Sequence, residues 1–154
     1  MENLNERVWQ IIDGCVNSVF ITYTKEGFCH ARTMNKLLDK DAGAGVFWYA
    51  THSRSRKIAE IKENPKVTLF FAHPDTQDHA SVFGLAEIVD DRETKHRFWQ
   101  DAWYEFWKKG PDGDEFILIK VIPVTGEFFL NNEISTGKID FNKKGMLFSN
   151  VELR

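Results

Sequence analysis

Residues 18–34 have the sequence SVFITYTKEGFCHARTM, in which two extended segments flank a Lys-Glu-Gly turn. β-Branched and aromatic side chains favour strands because they pack well on a pleated surface. A short turn with a glycine joins antiparallel strands, since parallel strands need a long crossover. The stretch therefore predicts a β-hairpin at residues 18–24 and 28–34.

Four further segments share this composition, so the sequence predicts about six strands. They are VFWYAT at 46–51, KVTLFFA at 66–72, ASVFGLAEIV at 80–89 and FILIKVI at 116–122. Gly84 within one of them is a candidate for a bulge or a close approach. Pro123 allows a bend before a last extended stretch at 125–130.

Three segments have helical spacing or helix-capping residues. The first spans 4–14, and the second spans 53–64 with Ser53 or Ser55 as its N-cap. A longer helix is predicted after Asp90-Asp91, with two apolar stripes spaced by four residues: Phe98, Ala102 and Phe106, and Trp99, Trp103 and Trp107. The tryptophan stripe is typical of core packing, although a helix this apolar is also a natural dimer element.

The order of these elements favours an α+β chain, mostly β, folded as an antiparallel barrel of about six strands with flanking helices. Only the crossover through 53–64 allows a parallel pair. The length of 154 residues corresponds to one domain, and a hydrophobic content of 42% is enough for its core. We assign the domain to 1–130 and treat the weakly periodic segment 131–154 as its extension.

Composition and charge narrow the functional classes. A net charge of −3 gives no electrostatic reason to bind nucleic acid or an anionic membrane. The polar N-terminal segment is unlike a secretory signal, and no apolar run is long enough to span a bilayer. With only Cys15 and Cys29 available, a disulfide scaffold is excluded, and a cytoplasmic protein is expected.

The densest polar cluster is THSRSRK at 51–57, which follows a strand and opens a helix. Free N–H groups at a helix N-terminus, together with hydroxyls and cations, form a phosphate cradle. The alternative is a capped helix with solvated basic residues. Arg32 in the second strand also needs a partner. It is either a surface arginine paired with an acid, or a residue of the same anion site if the basic cluster lies beside it across the sheet.

The run Phe47-Trp48-Tyr49 has more consecutive aromatic side chains than a strand with only one buried face needs. At least one of these side chains must face the far side of the sheet, in a flat-ligand pocket or a subunit interface. No metal-ligand spacing and no hydrolase, P-loop or Rossmann motif occurs. Without an evident general acid or base, an enzyme of this sequence would take its reactivity from a cofactor.

Five short motifs, in order, resemble the FMN-binding split barrels of the pyridoxamine 5′-phosphate oxidase-like superfamily, and most closely its general stress protein branch. The resemblance covers about residues 5–130. The motifs are A-R-T-M at 31–34, F-W-Y-A-T at 47–51, S-R-K at 55–57, N-P-K-V at 64–67 and V-F-G-L-A-E at 82–87.

The resemblance implies a homodimeric split β-barrel with one FMN in each of two sites between the subunits. It implies that Arg32, Arg56 and Lys57 contact the phosphate or ribityl chain, and that His79 lies near the flavin. Trp107 would reach the partner's site. The complete set of implied cofactor-binding residues is Arg32, Thr33, Met34, Tyr49, Ala50, Thr51, Ser55, Arg56, Lys57, His79 and Trp107.

Two departures separate this chain from the vitamin B6 oxidases that it resembles. Leu37 stands where they carry a second lysine, and 131–154 has no counterpart of their arginine-and-tryptophan segment. Pyridoxamine phosphate is therefore not the expected substrate. The expected function is a flavin-dependent oxidoreductase of unknown substrate. The alternatives are a non-catalytic flavin-binding or storage stress protein, or a split barrel for another flat cofactor such as a deazaflavin or haem.

Overall fold

The computed structural model of the protein describes residues 4–38, 45–131, 135–141 and 147–152. Its helices are α1 (Leu4–Gly14), α2 (Arg56–Glu63) and α3 (Arg92–Phe98), followed by a 3₁₀ helix (Asp101–Glu105). Its strands are β1 (Asn17–Tyr23), β2 (Cys29–Asn35), β3 (Phe47–His52), β4 (Lys66–Ala72), β5 (His79–Val89), β6 (Phe116–Leu130), β7 (Ser135–Asp140) and β8 (Leu147–Glu152). None of the described helices is long and apolar enough to cross a membrane.

Six of the strands close into a barrel. β2, β1, β4, β5 and β6 are neighbours in that order, and β3 lies along the first half of β6. Just beyond β2, the N–H of Leu37 donates to the carbonyl of Trp48 at 2.8 Å, which closes the ring. Every described strand pair is antiparallel, so the predicted antiparallel barrel is confirmed, and the crossover through 53–64 makes no parallel pair among them.

The C-terminal segment contains two strands that the sequence did not predict. β7 pairs with the second half of β6, and β8 pairs with β7, so both lie outside the six-stranded ring. The apolar periodicity of β7 is weak, because the strand contains Gly137 and because Lys138 and Asp140 flank its one large apolar residue, Ile139. β6 runs through Pro123 as one strand, but its pairing with β5 is irregular there: Phe83 pairs with Thr125 and Gly84 with Pro123, which leaves Val124 as an extra residue on β6.

The two longer helices cover opposite ends of the barrel. α2 leads directly into the start of β4 and buries Ile58 and Ile61 in the core. α1 ends near the other end of β4, where the Sγ of Cys15 donates to the carbonyl of Ala72 at 3.4 Å. Each end of the interior is thus closed by an amphipathic helix.

β3 is buried on both of its faces. Phe47 and Tyr49 point into the barrel, where the Tyr49 hydroxyl lies 2.7 Å from the Ser18 hydroxyl. Trp48 and Ala50 point outward into a second apolar cluster beneath α3 and the 3₁₀ helix. The prediction that one residue of this aromatic run faces the far side of the sheet is therefore confirmed.

The prediction of one long helix after Asp90-Asp91 is wrong. Asp91 caps α3 as expected, but the helix ends at Phe98, and Trp99 and Gln100 are extended before the 3₁₀ helix begins. In a straight helix, residues eight apart would be separated by about 12 Å. The break instead lets Trp99, Trp103 and Trp107 all contact Phe116, with ring centroids 5.1, 5.7 and 5.1 Å away.

Replacing Gly84 with alanine is expected to destabilise the barrel by about 1–3 kcal/mol. A Cβ at this position would stand 2.8 Å from both the carbonyl oxygen of Ile122 and the Cγ1 of Val121. These atoms belong to the backbone and to a buried side chain, so neither can withdraw cheaply. Urea unfolding measures the effect. Gly14→Ala is the control, because nothing lies within 4 Å of a Cβ there, and equal midpoints for the two variants would contradict the argument.

Candidate cofactor-binding site

Polar side chains of β1 and β2 gather at the barrel end that α2 covers. In an antiparallel ladder, paired residues point to the same face, and Phe20 pairs with Arg32 while Thr22 pairs with His30. Phe20 is fully buried in the barrel core, so Arg32, Thr22 and His30 share its inward face. The sequence thus places an arginine inside the mouth of the barrel, where it must find partners.

Arg32 finds these partners on two other elements, β1 and α2. Its Nη1 donates to the Phe20 carbonyl at 3.2 Å and to the Thr22 hydroxyl at 2.8 Å. Its Nη2 donates to a carboxylate oxygen of Glu60 on α2 at 3.4 Å. Burial lowers the pKa of Arg32, Glu60 opposes that change, and the positive charge of Arg56 adds to it. Arg32 therefore pairs with an acid and also lies beside the basic cluster.

Glu60 is a charged residue of this cluster that the sequence analysis did not predict. Its Oε2 lies 2.5 Å from Nδ1 of His30, and its Oε1 accepts a hydrogen bond from Thr22 at 3.1 Å. Burial raises the pKa of Glu60, but the bonds with His30 and Thr22 and the charges of His30 and Arg32 outweigh it, so the pKa is lowered. The available signal was spacing, because Glu60 lies four residues after Arg56 on one helical face.

Lys57 and two hydroxyls continue the cluster toward the end of β3. The Lys57 Nζ donates to the Thr51 hydroxyl at 2.9 Å, and that hydroxyl lies 3.4 Å from the hydroxyl of Ser55. Ser55 is the N-cap residue of α2, yet its side chain makes no capping hydrogen bond. Burial lowers the pKa of Lys57, and Arg32 lowers it further against the opposing effect of Glu60.

Arg56 completes the cluster at its solvent side. Its side chain is 68% exposed, and its Nε lies 3.7 Å from Oε1 of Glu60. Three cations and one carboxylate therefore meet at the N-terminal half of α2, where unpaired N–H groups add partial positive charge. This arrangement suits an anion with two negative charges, such as a phosphate monoester.

The structure places four other predicted site residues of β2 and β3 away from the cluster. Thr33 lies on the outer face of β2, while Met34 points inward and packs against the barrel core. Tyr49 is fully buried in the same core, where burial raises its pKa. Ala50, the neighbour of Thr51, packs into the second apolar cluster.

The last two predicted residues lie on other surfaces. His79 begins β5 on the outer face of the sheet, where its ring lies between Phe70 and Phe129, with centroids 5.3 and 5.4 Å away. Trp107 packs against Phe116. The structure of the chain therefore brings together Arg32, Thr51, Ser55, Arg56 and Lys57, and leaves the other predicted residues apart.

The boundary between β2 and β3 forms a seam in the barrel wall. Within the described residues, the one ladder contact across it joins Leu37 and Trp48. The cation cluster lies at one end of this seam. At the other end, an open cleft of about 840 Å³ is lined by Cys15, the segment 35–38 and the segment 97–100 together with Trp103. In the described part of the chain, the buried indole N–H of Trp99 in this wall has no hydrogen-bond partner.

Metal ligation finds no support in the part of the chain that is described. No three histidine, cysteine, aspartate or glutamate side chains come together there in a way that could hold an ion. His96 instead pairs with Asp112, and His30 pairs with Glu60.

Comparison with known proteins identifies the family. A family model described as pyridoxamine 5′-phosphate oxidase like matches residues 3–146, so the chain belongs to this family, as its motifs predicted. The crystal structure of the general stress protein 26 from Bacillus anthracis str. Sterne is 28% identical, with a TM-score of 0.66, and covers 82% of this chain and 94% of that chain.

Two further relatives extend the comparison. A pyridoxamine 5′-phosphate oxidase-related, FMN binding protein from Nostoc punctiforme shares the fold with a TM-score of 0.64 at 15% identity, over 97% of this chain and 91% of its own. Protein bli-3 of Neurospora crassa is 24% identical over 132 residues, which is 80% of this chain. The chain spans 63% of the length of that curated relative.

Proposed function

We propose that the protein is an FMN-binding flavoprotein and that its cation cluster holds the phosphate of the cofactor. The observation that carries the proposal is the half-buried ammonium of Lys57, gathered with Arg32, Arg56 and two hydroxyls at the start of α2. The lowered pKa of Lys57 means that its charge lacks sufficient compensation, which a bound phosphate would provide. The FMN-binding relative from Nostoc punctiforme supports the same cofactor.

The remainder of the cofactor would extend along the seam between β2 and β3. One ladder contact, between Leu37 and Trp48, crosses this boundary in the described residues, and the aromatic cleft lies beside it. An elongated molecule with a phosphate at one end and a flat ring at the other would place its phosphate at the cations and its ring in the cleft. Bound FMN would supply two-electron redox chemistry. The chain's own contribution would be to bind and orient the ring and to exclude water with Phe98, Trp99 and Trp103.

A small substrate or electron donor would enter the cleft beside the ring. Its walls combine aromatic side chains with Lys36 and Arg97, a composition typical of sites for flat organic molecules. We therefore propose a flavin-dependent oxidoreductase. Air oxidation of a reduced nicotinamide only in the presence of flavin would support this activity, whereas a bound flavin that only dithionite reduces would support the storage alternative.

We also propose that the protein is a homodimer with its cofactor between the subunits. The tryptophans pack on Phe116 and do not form a free apolar stripe, so they offer little for dimerisation. The outer face of the sheet offers more, because its apolar side chains belong to neither buried core. They are Val19, Ile21, Phe70, Phe83 and Leu85, which are half-buried or exposed. Thr33 and His79 lie on this same face.

The first test is the visible spectrum of the purified protein after addition of FMN and desalting. We expect a two-banded flavin spectrum to survive with FMN and to be lost with riboflavin, which has no phosphate for the cluster to bind. Light scattering of the flavin-loaded protein then reports its mass, with a dimer expected. Loss of FMN on desalting would contradict the phosphate site, and a monomeric mass would contradict the shared site.

A further inference from the structure

The cation cluster contains one acid that is held in place independently of any ligand. The side chain of Glu60 is only 11% exposed. His30 and Thr22 fix both of its carboxylate oxygens from β2 and β1, at 2.5 and 3.1 Å. Thr22 also accepts a hydrogen bond from Arg32, so the carboxylate belongs to a network that crosses three elements. Such a network holds Glu60 as an anion at the mouth of the barrel.

This carboxylate uses donors that a phosphate would also need. Its Oε1 lies 3.4 Å from Nη2 of Arg32 and 3.7 Å from Nε of Arg56. Both separations are longer than the 2.7–2.9 Å of a strong charge-assisted hydrogen bond, so a better-placed phosphate oxygen can take these donors. Glu60 also sets one negative charge against the three positive charges of Arg32, Arg56 and Lys57.

We propose that Glu60 is a built-in competitor for the ligand phosphate, which keeps phosphate binding weaker and more readily reversible than the three cations alone would make it. This inference rests on the proposed function, because it concerns the same phosphate. Glu60 contacts the cations that would hold the phosphate, so it would act as a positioning residue that sets the affinity of the site.

In the ligand-free protein, Glu60 has a second effect, which is to offset the repulsion among the three cations. Arg32 lies close enough to Lys57 to lower its pKa, and Arg56 has the same effect on Arg32, so the three cations repel one another at the mouth of the barrel. Glu60 opposes both effects. Removing the negative charge should therefore loosen the ligand-free fold while it strengthens the attraction for an anion.

The test is Glu60→Gln, which keeps the size and one carbonyl oxygen of the side chain but removes its charge. We expect the dissociation constant for FMN, measured by flavin fluorescence at low salt, to fall about tenfold, and the effect to shrink as salt is added. Riboflavin affinity should not change. The melting temperature of the ligand-free variant should fall. Opposite signs in affinity and stability distinguish competition from a merely structural role, which would lower both.

Two companion variants keep the experiment decisive. Glu63→Gln on the same helix is the matched control, since Glu63 is 59% exposed and pairs only with Lys25 among the described contacts. Glu60→Asp keeps the charge, so its FMN affinity should stay near that of the unchanged protein. Weaker or unchanged FMN binding in Glu60→Gln, or a tenfold gain in Glu60→Asp, would overturn the inference. Failure of the phosphate site itself would appear separately, as FMN binding that does not depend on Lys57.

Discussion

Alanine in place of Phe116 is expected to lower the free energy of unfolding by about 3–5 kcal/mol. Phe116 is fully buried at the first position of β6, and three tryptophan rings meet its ring. The nearly buried ammonium of Lys95 lies 5.9 Å from the same ring, so truncation also removes a cation–π contact. The segment of α3 and the 3₁₀ helix would lose the side chain on which it packs.

Urea unfolding monitored by tryptophan fluorescence measures this effect. We expect an earlier transition and a red-shifted emission in the folded baseline, because Trp99, Trp103 and Trp107 gain access to water. Phe106→Ala is the matched control, since Phe106 is 69% exposed and its ring contact is with Trp107 at 6.0 Å. Its cost should stay within about 1 kcal/mol. A similar loss in both variants would show that Phe116 is not the centre of this cluster.

Methionine in place of Lys57 is expected to weaken FMN binding by about 10- to 100-fold, since a hydrogen bond to a charged group contributes about 1.5–3 kcal/mol. Methionine keeps an apolar stem of similar length and removes the ammonium alone. Burial and the charge of Arg32 lower the pKa of Lys57, so its charged form destabilises the ligand-free protein at neutral pH. The melting temperature without ligand should therefore not fall.

Flavin fluorescence titration provides the measurement, and Lys62→Met provides the control. Lys62 lies in the last turn of the same helix with its side chain exposed, so its replacement should leave FMN affinity unchanged. The loss at Lys57 should also be smaller at high salt, because screening weakens the ammonium–phosphate attraction in the unchanged protein. Equal FMN affinity in the two variants would refute the phosphate site at α2.

Much of this fold follows from local pattern. The hairpin of β1 and β2, the alternation within β5 and the stop at Asn64-Pro65 depend on residues that are close in sequence, so their composition is informative. The cluster of Ser55, Arg56 and Lys57 was recognisable for the same reason, because a strand end and a helix start lie next to each other along the chain.

Local sequence patterns could not predict the break in the helix after Phe98. Helical spacing of the tryptophans is a property of the segment alone, whereas the position of Phe116 is set by β6 and by its pairing with β3. Contact of all three indoles with one buried ring outweighs the hydrogen bonds that a longer helix would form. Burial in the tertiary structure thus overrides local propensity.

The sequence by itself determined the six strands of the barrel, the two helices that cover its ends, the family and the basic start of α2. Only the tertiary structure decided that Glu60 stands among the cations, because His30, Thr22 and Arg32 reach it from strands that are distant in sequence. A period of 3.6 residues shows which residues share a helix face, but not which buried charges that face will meet. Those partners depend on the register of β1 and β2 and on the way α2 closes the barrel.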